Sequence, residues 1–164
     1  MQGQYNVLFL CTGNSARSIM AEAILNHKGK PNFAAFSAGS RAAGRVRPEA
    51  IQQLKGAGLA TAGLRSKNWD EFAIAGAPQM DFVITVCDSA AKEVCPIWPG
   101  HPMTAHWGVA DPASVVGTPE ETARAFRDAY VTLGRRISLL VSLPLGSMDS
   151  VAMQKEIRRI GRES

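Results

Sequence analysis

A cysteine and an arginine flank a short run of small residues near the start of the chain. Cys11 and Arg17 stand six positions apart in LFLCTGNSARSIMAE. A loop of small residues can curl until its backbone N–H groups converge on an anion, and a guanidinium fork matches two oxygens of a tetrahedral anion. We therefore predict an oxyanion-binding loop with Cys11 beneath the anion. The residues predicted to bind it are Thr12, Gly13, Asn14, Ser15, Ala16, Arg17 and Ser18.

The chemistry of this loop depends on the protonation of Cys11. Thiols at helix N-termini beside cations ionise at about 3.5–7.5 instead of about 8.5. We therefore expect a pKa of about 6 for Cys11, which makes it a thiolate and a nucleophile at neutral pH. The alternative is an inert cysteine at a strand end, since free cysteines often pack as small hydrophobes. The position between an apolar run and a small-residue loop favours the nucleophile.

The elements that must position this loop alternate between strand and helix patterns. Short apolar runs predict strands over 5–10, 32–37, 80–87 and 103–109, and helical spacing predicts helices over 15–27, 47–58 and 120–143. The alternation predicts an α/β fold, a three-layer sandwich of a four-stranded parallel sheet with helices on both faces. Ligands of such sheets bind beyond the carboxyl ends of the strands, where Cys11 follows the first strand.

Length and composition indicate one globular domain. The chain has 164 residues, of which 46% are hydrophobic. We place the domain at 1–144 and treat 145–164 as a basic tail, either a docked helix or a frayed one. The net charge is +4, but the basic residues are scattered, which argues against a nucleic-acid partner. No apolar run is long enough to span a membrane. We expect a cytoplasmic monomer without membrane contact.

The three cysteines need a role other than a structural disulfide framework. Cys11, Cys87 and Cys95 are an odd number in a chain without a recognisable secretion signal. Reactive thiols, metal ligands and buried core residues remain the alternatives for Cys87 and Cys95. No cysteine or histidine pair has the spacing of a zinc site, so we predict no metal.

The motif around Cys11 resembles that of a known family. The stretch LFLCTGNSARSIMAEAIL is similar to the low-molecular-weight protein tyrosine phosphatases and, more closely, to the arsenate reductases that share their fold. FSAGS, SKNWDEF and HWGVADPA extend the resemblance over about residues 5–142. The resemblance implies that the loop holds phosphate or arsenate and that Cys11 is the nucleophile. It also implies that Asp111, in the Asp-Pro pair, is the general acid for the departing oxygen.

The resemblance leaves two activities open. Phosphatases of this family often carry tyrosines after the Asp-Pro pair, whereas no aromatic residue follows Asp111 until Phe126. Arsenate can be reduced by thiols, and by resemblance Cys87 would attack the Cys11 sulfur to release arsenite. Cys95 would then resolve the disulfide by exchange. We expect an arsenate reductase that supports arsenic detoxification. Phosphomonoester hydrolysis is the alternative enzyme activity, and a non-catalytic anion or thiol sensor is the alternative outside enzymes.

The relay of cysteines implies a partner and a conformational change. The resemblance implies no bound cofactor and an external thiol reductant, with thioredoxin preferred over glutathione and glutaredoxin. Some reductases of this group bind potassium beside the residue that corresponds to Asn14, but the sequence gives no ground to assign one here. A helix over 88–94 would separate Cys87 and Cys95 by about 12 Å. A disulfide tolerates about 7 Å, so residues 87–97 would have to unwind on oxidation.

Overall fold

The computed structural model describes residues 4–88, 90 and 98–163, which form one parallel sheet and the helices around it. The strands are β1 (Tyr5–Leu10), β2 (Phe33–Ala38), β3 (Phe82–Thr85) and β4 (Met103–His106). They pair in the order β2-β1-β3-β4, and every pair is parallel. The predicted four-stranded parallel sheet is confirmed.

The helices follow the predicted order with small shifts at their ends. In the described part of the chain, the α-helices are α1 (Arg17–Lys28), α2 (Pro48–Gly56), α3 (Pro119–Val141) and α4 (Ser150–Glu163). Short 3-10 turns cover Trp69–Phe72, Pro112–Ser114 and Leu145–Ser147. The predicted helix over 88–94, Cys95 and the predicted unwinding of 87–97 fall largely or wholly outside the described residues.

Both faces of the sheet are covered, which explains the continuous apolar run of β1. Val7 and Phe9 pack on one face with side chains from α1, α2, α3 and α4. Leu8 and Leu10 pack on the other face, in a cluster that includes Phe72 of the first 3-10 turn. All four strand residues are fully buried. A strand buried on both sides needs apolar residues at successive positions, as parallel sheets show.

The third strand is shorter than its apolar sequence suggests. Hydrophobic residues run on from β3 through Val86 to Cys87, and both are buried. The Val86 N–H still donates to the Leu10 carbonyl at 2.9 Å, but the chain leaves the ladder there. The apolar run continues because these residues line the core behind the loop that follows β1.

The longest helix begins at a capping box. The Thr118 hydroxyl accepts the Glu121 N–H, and the Glu121 carboxylate accepts the Thr118 N–H, each at 3.2 Å. Pro119 occupies the first turn, where its missing N–H costs nothing. The buried stripe of α3 carries the apolar residues Phe126, Ala129, Leu133, Ile137 and Leu140.

The C-terminal segment, for which the sequence allowed two states, is a docked helix. Ile157 and Ile160 of α4 are buried in the main core, and the Trp107 indole N–H donates to the Ile157 carbonyl at 2.9 Å. The Gln154 amide and the Arg158 guanidinium donate to the Thr104 carbonyl of β4, at 2.6 and 3.3 Å. Among the described residues, no helix has the length and apolarity that crossing a membrane requires.

Candidate active site

The two described cysteines meet because the strands that carry them are neighbours. Cys11 follows β1, and Cys87 lies two residues beyond β3, which pairs directly with β1. The Thr12 N–H donates to the Cys87 sulfur at 3.3 Å, and the Thr12 hydroxyl lies 3.7 Å from the same atom. Cys87 therefore lies beside the loop. Cys95 lies outside the described residues.

The loop from Cys11 to Arg17 is held in shape from outside, by backbone groups of residues 41–47. Three loop carbonyls accept N–H groups from this segment at 2.8–3.0 Å. Because the C=O and N–H of a peptide unit point in opposite directions, carbonyls tied outward aim the following N–H groups inward, as an anion nest requires. The bonds run from Arg41 to Thr12, from Ala43 to Gly13 and from Arg47 to Ser15.

The FSAGS motif supplies a close approach between β2 and this loop. A Cβ on Gly39 would lie 2.4 Å from the Thr12 oxygen and 2.6 Å from the Cys11 oxygen, distances that side-chain carbons do not adopt. Only glycine lets the end of β2 pass so near the loop backbone. In the sequence, FSAGS stands out only by its resemblance to the family. The structure shows why its glycine is needed, since Gly39 passes too close to the loop backbone for a side chain.

Asn14 holds the centre of the loop. It is fully buried and adopts a left-handed conformation, with φ of 45°, which asparagine tolerates better than most residues. The side-chain Oδ1 of Asn14 accepts the Lys67 N–H at 2.9 Å, and the side-chain Nδ2 donates to the Ser18 hydroxyl at 2.8 Å. The side chain therefore ties the loop both to α1 and to the segment before Trp69–Phe72.

A buried polar group behind Asn14 was not predicted from the sequence. The Lys67 ammonium donates to the Arg65 carbonyl at 2.8 Å and lies 3.4 Å from the Ser37 hydroxyl and 3.7 Å from a Glu22 carboxylate oxygen. Burial raises the pKa of Glu22 and lowers that of Lys67. Glu22 interrupts the apolar sequence IMAEAIL, and this break in the apolar pattern was the available signal.

The two sulfurs titrate as a pair, and their contacts favour the thiolate at Cys87 over the thiolate at Cys11. The Cys11 thiol donates to the Cys87 sulfur, and the N–H groups of Ala90 and Thr12 also donate to it, which lowers the pKa of Cys87 to about 5. Donation to Cys87 and burial raise the pKa of Cys11 far above its usual range, against the opposing charge of Arg17. The sequence-based prediction of a Cys11 thiolate is wrong for this arrangement, because it did not include the second sulfur.

Arg17 links the loop to the predicted general acid. Its guanidinium donates to the Val109 carbonyl at 2.8 Å, and its other terminal nitrogen lies 3.7 Å from an Asp111 carboxylate oxygen. The second Asp111 oxygen accepts the Ala113 N–H at 2.9 Å, which fixes the side chain at the start of Pro112–Ser114. The Asp111 side chain is 43% exposed. The Asp111 carboxylate therefore lies next to Arg17 and within reach of water.

His106 contacts the segment that begins at Cys87. One ring nitrogen lies 2.7 Å from the Thr85 hydroxyl and the other 2.9 Å from an Asp88 carboxylate oxygen. Within the described ranges, no group of three or more histidines, cysteines, aspartates or glutamates has the geometry of a metal site. The contacts of His106 anchor Asp88, the residue after Cys87.

Comparison with known proteins places this geometry in a family. Residues 6–154 match the family described as low molecular weight phosphotyrosine protein phosphatase. The chain belongs to this family. The resemblance predicted for residues 5–142 is confirmed, and the match also includes the start of α4.

Family members of known name include both reductases and phosphatases. An arsenate reductase of Shouchella clausii (strain KSM-K16) is 37% identical over 131 residues, which cover 80% of this chain and 91% of the relative. The crystal structure of an arsenate reductase from Archaeoglobus fulgidus DSM 4304 is 29% identical with a TM-score of 0.66, and the match covers 84% of this chain and 99% of that one. A low molecular weight protein tyrosine phosphatase from T. tengcongensis is 27% identical with a TM-score of 0.68, covering 84% and 98%.

Proposed function

We propose that this protein is an arsenate reductase that forms a cysteine–arsenate adduct and releases arsenite through an intramolecular disulfide. One observation carries the proposal within the family: the Cys87 sulfur accepts hydrogen bonds from both Cys11 and the loop residue Thr12. Hydrolysis of a phosphate ester needs one thiol at this place. Reduction needs a second thiol that can attack the first, and the contacts of Cys87 with Cys11 and Thr12 support that role.

The first step forms the adduct. Arsenate enters the loop, where the inward N–H groups and Arg17 bind its oxygens. The Cys11 thiol passes its proton along the existing hydrogen bond to the Cys87 thiolate and becomes the nucleophile. The Cys11 sulfur attacks arsenic, and an oxygen leaves as water after Asp111 supplies a proton. The product is a Cys11–arsenic bond, with arsenic still in the +5 state.

The second step transfers two electrons. Cys87 first releases to water the proton that it accepted from Cys11 and then attacks the Cys11 sulfur, and the sulfur–arsenic bond breaks with its electron pair remaining on arsenic. Arsenite leaves in the +3 state, and a Cys11–Cys87 disulfide forms. The Thr12 and Ala90 N–H groups that lower the pKa of Cys87 supply the thiolate that this attack needs.

The third step regenerates the enzyme. Cys95 attacks the Cys87 sulfur, frees Cys11 and leaves a Cys87–Cys95 disulfide, which an external dithiol reduces. We propose thioredoxin as this partner, with glutathione and glutaredoxin as the alternative. We also propose that the protein acts as a cytoplasmic monomer without a resident metal.

Phosphomonoester hydrolysis is the second candidate, because the loop, Arg17 and Asp111 suffice for it. The segment that follows Asp111 argues against an aryl phosphate as the natural substrate. It carries Val115 and Val116, of which Val116 is 97% exposed. No aromatic side chain precedes Phe126 there to receive a phenyl ring.

The deciding experiment follows NADPH oxidation in a mixture of the protein, arsenate, thioredoxin and thioredoxin reductase. The wild-type protein should turn over many times. Cys87→Ser should form no arsenite but still hydrolyse p-nitrophenyl phosphate slowly. Cys95→Ser should release one arsenite per protein and stop. A wild-type protein that hydrolyses the aryl phosphate but forms no arsenite would be a phosphatase, and one that forms a single arsenite without turnover would be a sensor.

A further inference from the structure

The buried polar residues of this protein are concentrated behind the anion loop. Asn14, Ser18, Ser37 and Lys67 are all buried, and hydrogen bonds connect them into one group. None of the steps proposed above uses Lys67. Burying an ammonium is costly unless opposite charge and hydrogen bonds compensate for the lost water. The buried ammonium of Lys67 therefore needs a compensating role in the fold or in the site.

The Lys67 ammonium joins three separate parts of the chain. Its partners are the Arg65 carbonyl from its own segment, the Ser37 hydroxyl from β2 and the Glu22 carboxylate from α1. Ser37 also donates its hydroxyl to the same Glu22 oxygen, at 2.5 Å. The Lys67 cluster, defined as Glu22, Ser37 and Lys67, therefore ties α1 and β2 to the segment before Trp69–Phe72.

The backbone of Lys67 carries this restraint into the anion loop. Its backbone N–H donates to the side-chain Oδ1 of Asn14 at 2.9 Å, and its backbone C=O accepts the Gly39 N–H at 3.0 Å. Asn14 is the residue in the left-handed conformation, and Gly39 is the residue that approaches the loop backbone most tightly. The peptide groups on both sides of Lys67 thus hold Asn14 within the loop and Gly39 beside it.

We propose that Lys67 is a positioning residue for the oxyanion loop: its buried ammonium, fixed by Glu22, Ser37 and the Arg65 carbonyl, holds its own peptide groups where they keep Asn14 and Gly39 in place. Positive charge is essential to this role, because oxygen atoms surround the ammonium and one of them belongs to a carboxylate. A neutral side chain of the same size would remove the ammonium that lies 3.7 Å from the Glu22 carboxylate.

The test uses phosphate binding to the reduced protein, measured by isothermal titration calorimetry. Lys67→Ala should weaken phosphate affinity about 10- to 100-fold, the range typical for residues that orient the direct ligands of a site. Adding n-propylammonium, which replaces the atoms that the substitution removes, should restore most of the affinity. Lys55→Ala, at an exposed position of α2, removes the same charge and should leave the affinity unchanged.

A neutral molecule of similar shape separates charge from packing. 1-Propanol fills the same space without an ammonium and should not restore affinity. Equal recovery with 1-propanol would overturn the proposal, as would wild-type phosphate affinity in a folded Lys67→Ala protein. If circular dichroism shows that Lys67→Ala does not fold, phosphate binding is measured instead with the double variant Lys67→Met and Glu22→Gln. This variant removes both charges and keeps the side-chain volumes. Weakened phosphate binding supports the proposal, and wild-type binding overturns it.

The inference depends on the proposed function only in that the loop binds an oxyanion. Phosphate binding is measured without turnover or a reductant. A protein that binds phosphate but forms no arsenite would therefore refute the proposed reductase and leave the role of Lys67 intact. Normal arsenite formation by the wild-type protein, together with unchanged phosphate affinity in Lys67→Ala, would refute the role of Lys67 and leave the proposed reductase intact.

Discussion

Replacing Cys11 by alanine should raise the pKa of Cys87. The Cys11 thiol is the strongest of the influences that lower this pKa, and the variant removes it while the N–H donors from Thr12 and Ala90 remain. The substitution also leaves the burial of Cys87 in place, which favours the neutral thiol. Cys87 in the variant should therefore titrate between its low value and that of an ordinary thiol.

The size of the change follows from the hydrogen bond that is lost. In the wild-type protein the pKa of Cys87 falls from 9.0 to about 5, which corresponds to about 5 kcal/mol in favour of the thiolate at about 1.4 kcal/mol per unit. A hydrogen bond to a charged group contributes about 1.5–3 kcal/mol, which is about one to two pKa units. The pKa of Cys87 in Cys11→Ala should therefore rise to about 6–7.

Thiolate absorbance at 240 nm, followed from pH 3 to pH 10, measures this pKa. Both proteins should carry Cys95→Ala, so that only the pair contributes. The wild-type pair should show one thiolate with a midpoint near 5 and no second ionisation near 9. Two thiolates below pH 9 in the wild-type protein would refute a proton shared between Cys11 and Cys87. An unchanged midpoint in Cys11→Ala would show that the Cys11 thiol does not lower the pKa of Cys87.

The same pair predicts how stability changes with pH. Folding lowers the pKa of Cys87 from 9.0 to about 5, so between these values the unfolded chain holds a proton that the folded protein has lost. The free energy of unfolding should therefore rise with pH from 5 to 9 through this group. Urea denaturation should show a smaller rise in Cys11→Ala, in which the pKa of Cys87 lies nearer its unfolded value. An equal rise in both proteins would contradict this origin.

Three further substitutions test the loop, the acid and the docked helix. Asp111→Asn should slow adduct formation about 10²- to 10⁴-fold in single-turnover assays, with phosphate affinity retained; an unchanged rate would remove Asp111 from the acid role. Gly39→Ala places a Cβ 2.4 Å from a loop carbonyl and should lower the free energy of unfolding by at least about 1–3 kcal/mol in urea. Gly56→Ala, which has open space around it, is its control. Trp107→Phe loses the bond to the Ile157 carbonyl and should cost about 1–3 kcal/mol of stability with arsenite formation intact; a loss of activity at unchanged stability would contradict a purely structural role.

The sequence predicts the parts of the site that are contiguous or follow from strand order. Cys11 and Arg17 belong to one short loop of small residues between a strand and a helix, and this context, together with their spacing, indicates an anion site. Cys87 ends an apolar run that reads as a strand, and parallel strands bring their carboxyl ends to one edge. Those two facts are enough to expect the two sulfurs together.

The backbone hydrogen bonds that hold the loop from outside cannot be predicted from sequence patterns. Backbone bonds from residues 41–47 carry no side-chain signature. The N–H groups of Arg41 and Arg47 contact the loop, and backbone donors of this kind are available from almost any residue type. The bond between Lys67 and Asn14 joins positions 53 residues apart, and nothing local to either one indicates the other.

The position of the negative charge also depends on three-dimensional contacts. A helix N-terminus and Arg17 both favour a thiolate at Cys11, and the sequence-based pKa rested on these alone. The structure adds N–H donors to Cys87 and a hydrogen bond between the sulfurs, which lower the pKa of Cys87 and raise that of Cys11. Two sulfurs in contact cannot be assigned separate pKa values from sequence.

The packing of α4 against β4 has a consequence for self-association. β4 is an outer strand of the sheet, and the exposed side of such a strand offers carbonyl and N–H groups to strands of other molecules. Gln154 and Arg158 occupy the Thr104 carbonyl, and the helix that carries them stands where an incoming strand would add. Removing this helix should expose the edge of β4 to strands of other molecules. Chains that lack α4 should therefore aggregate under conditions in which their active site is still functional.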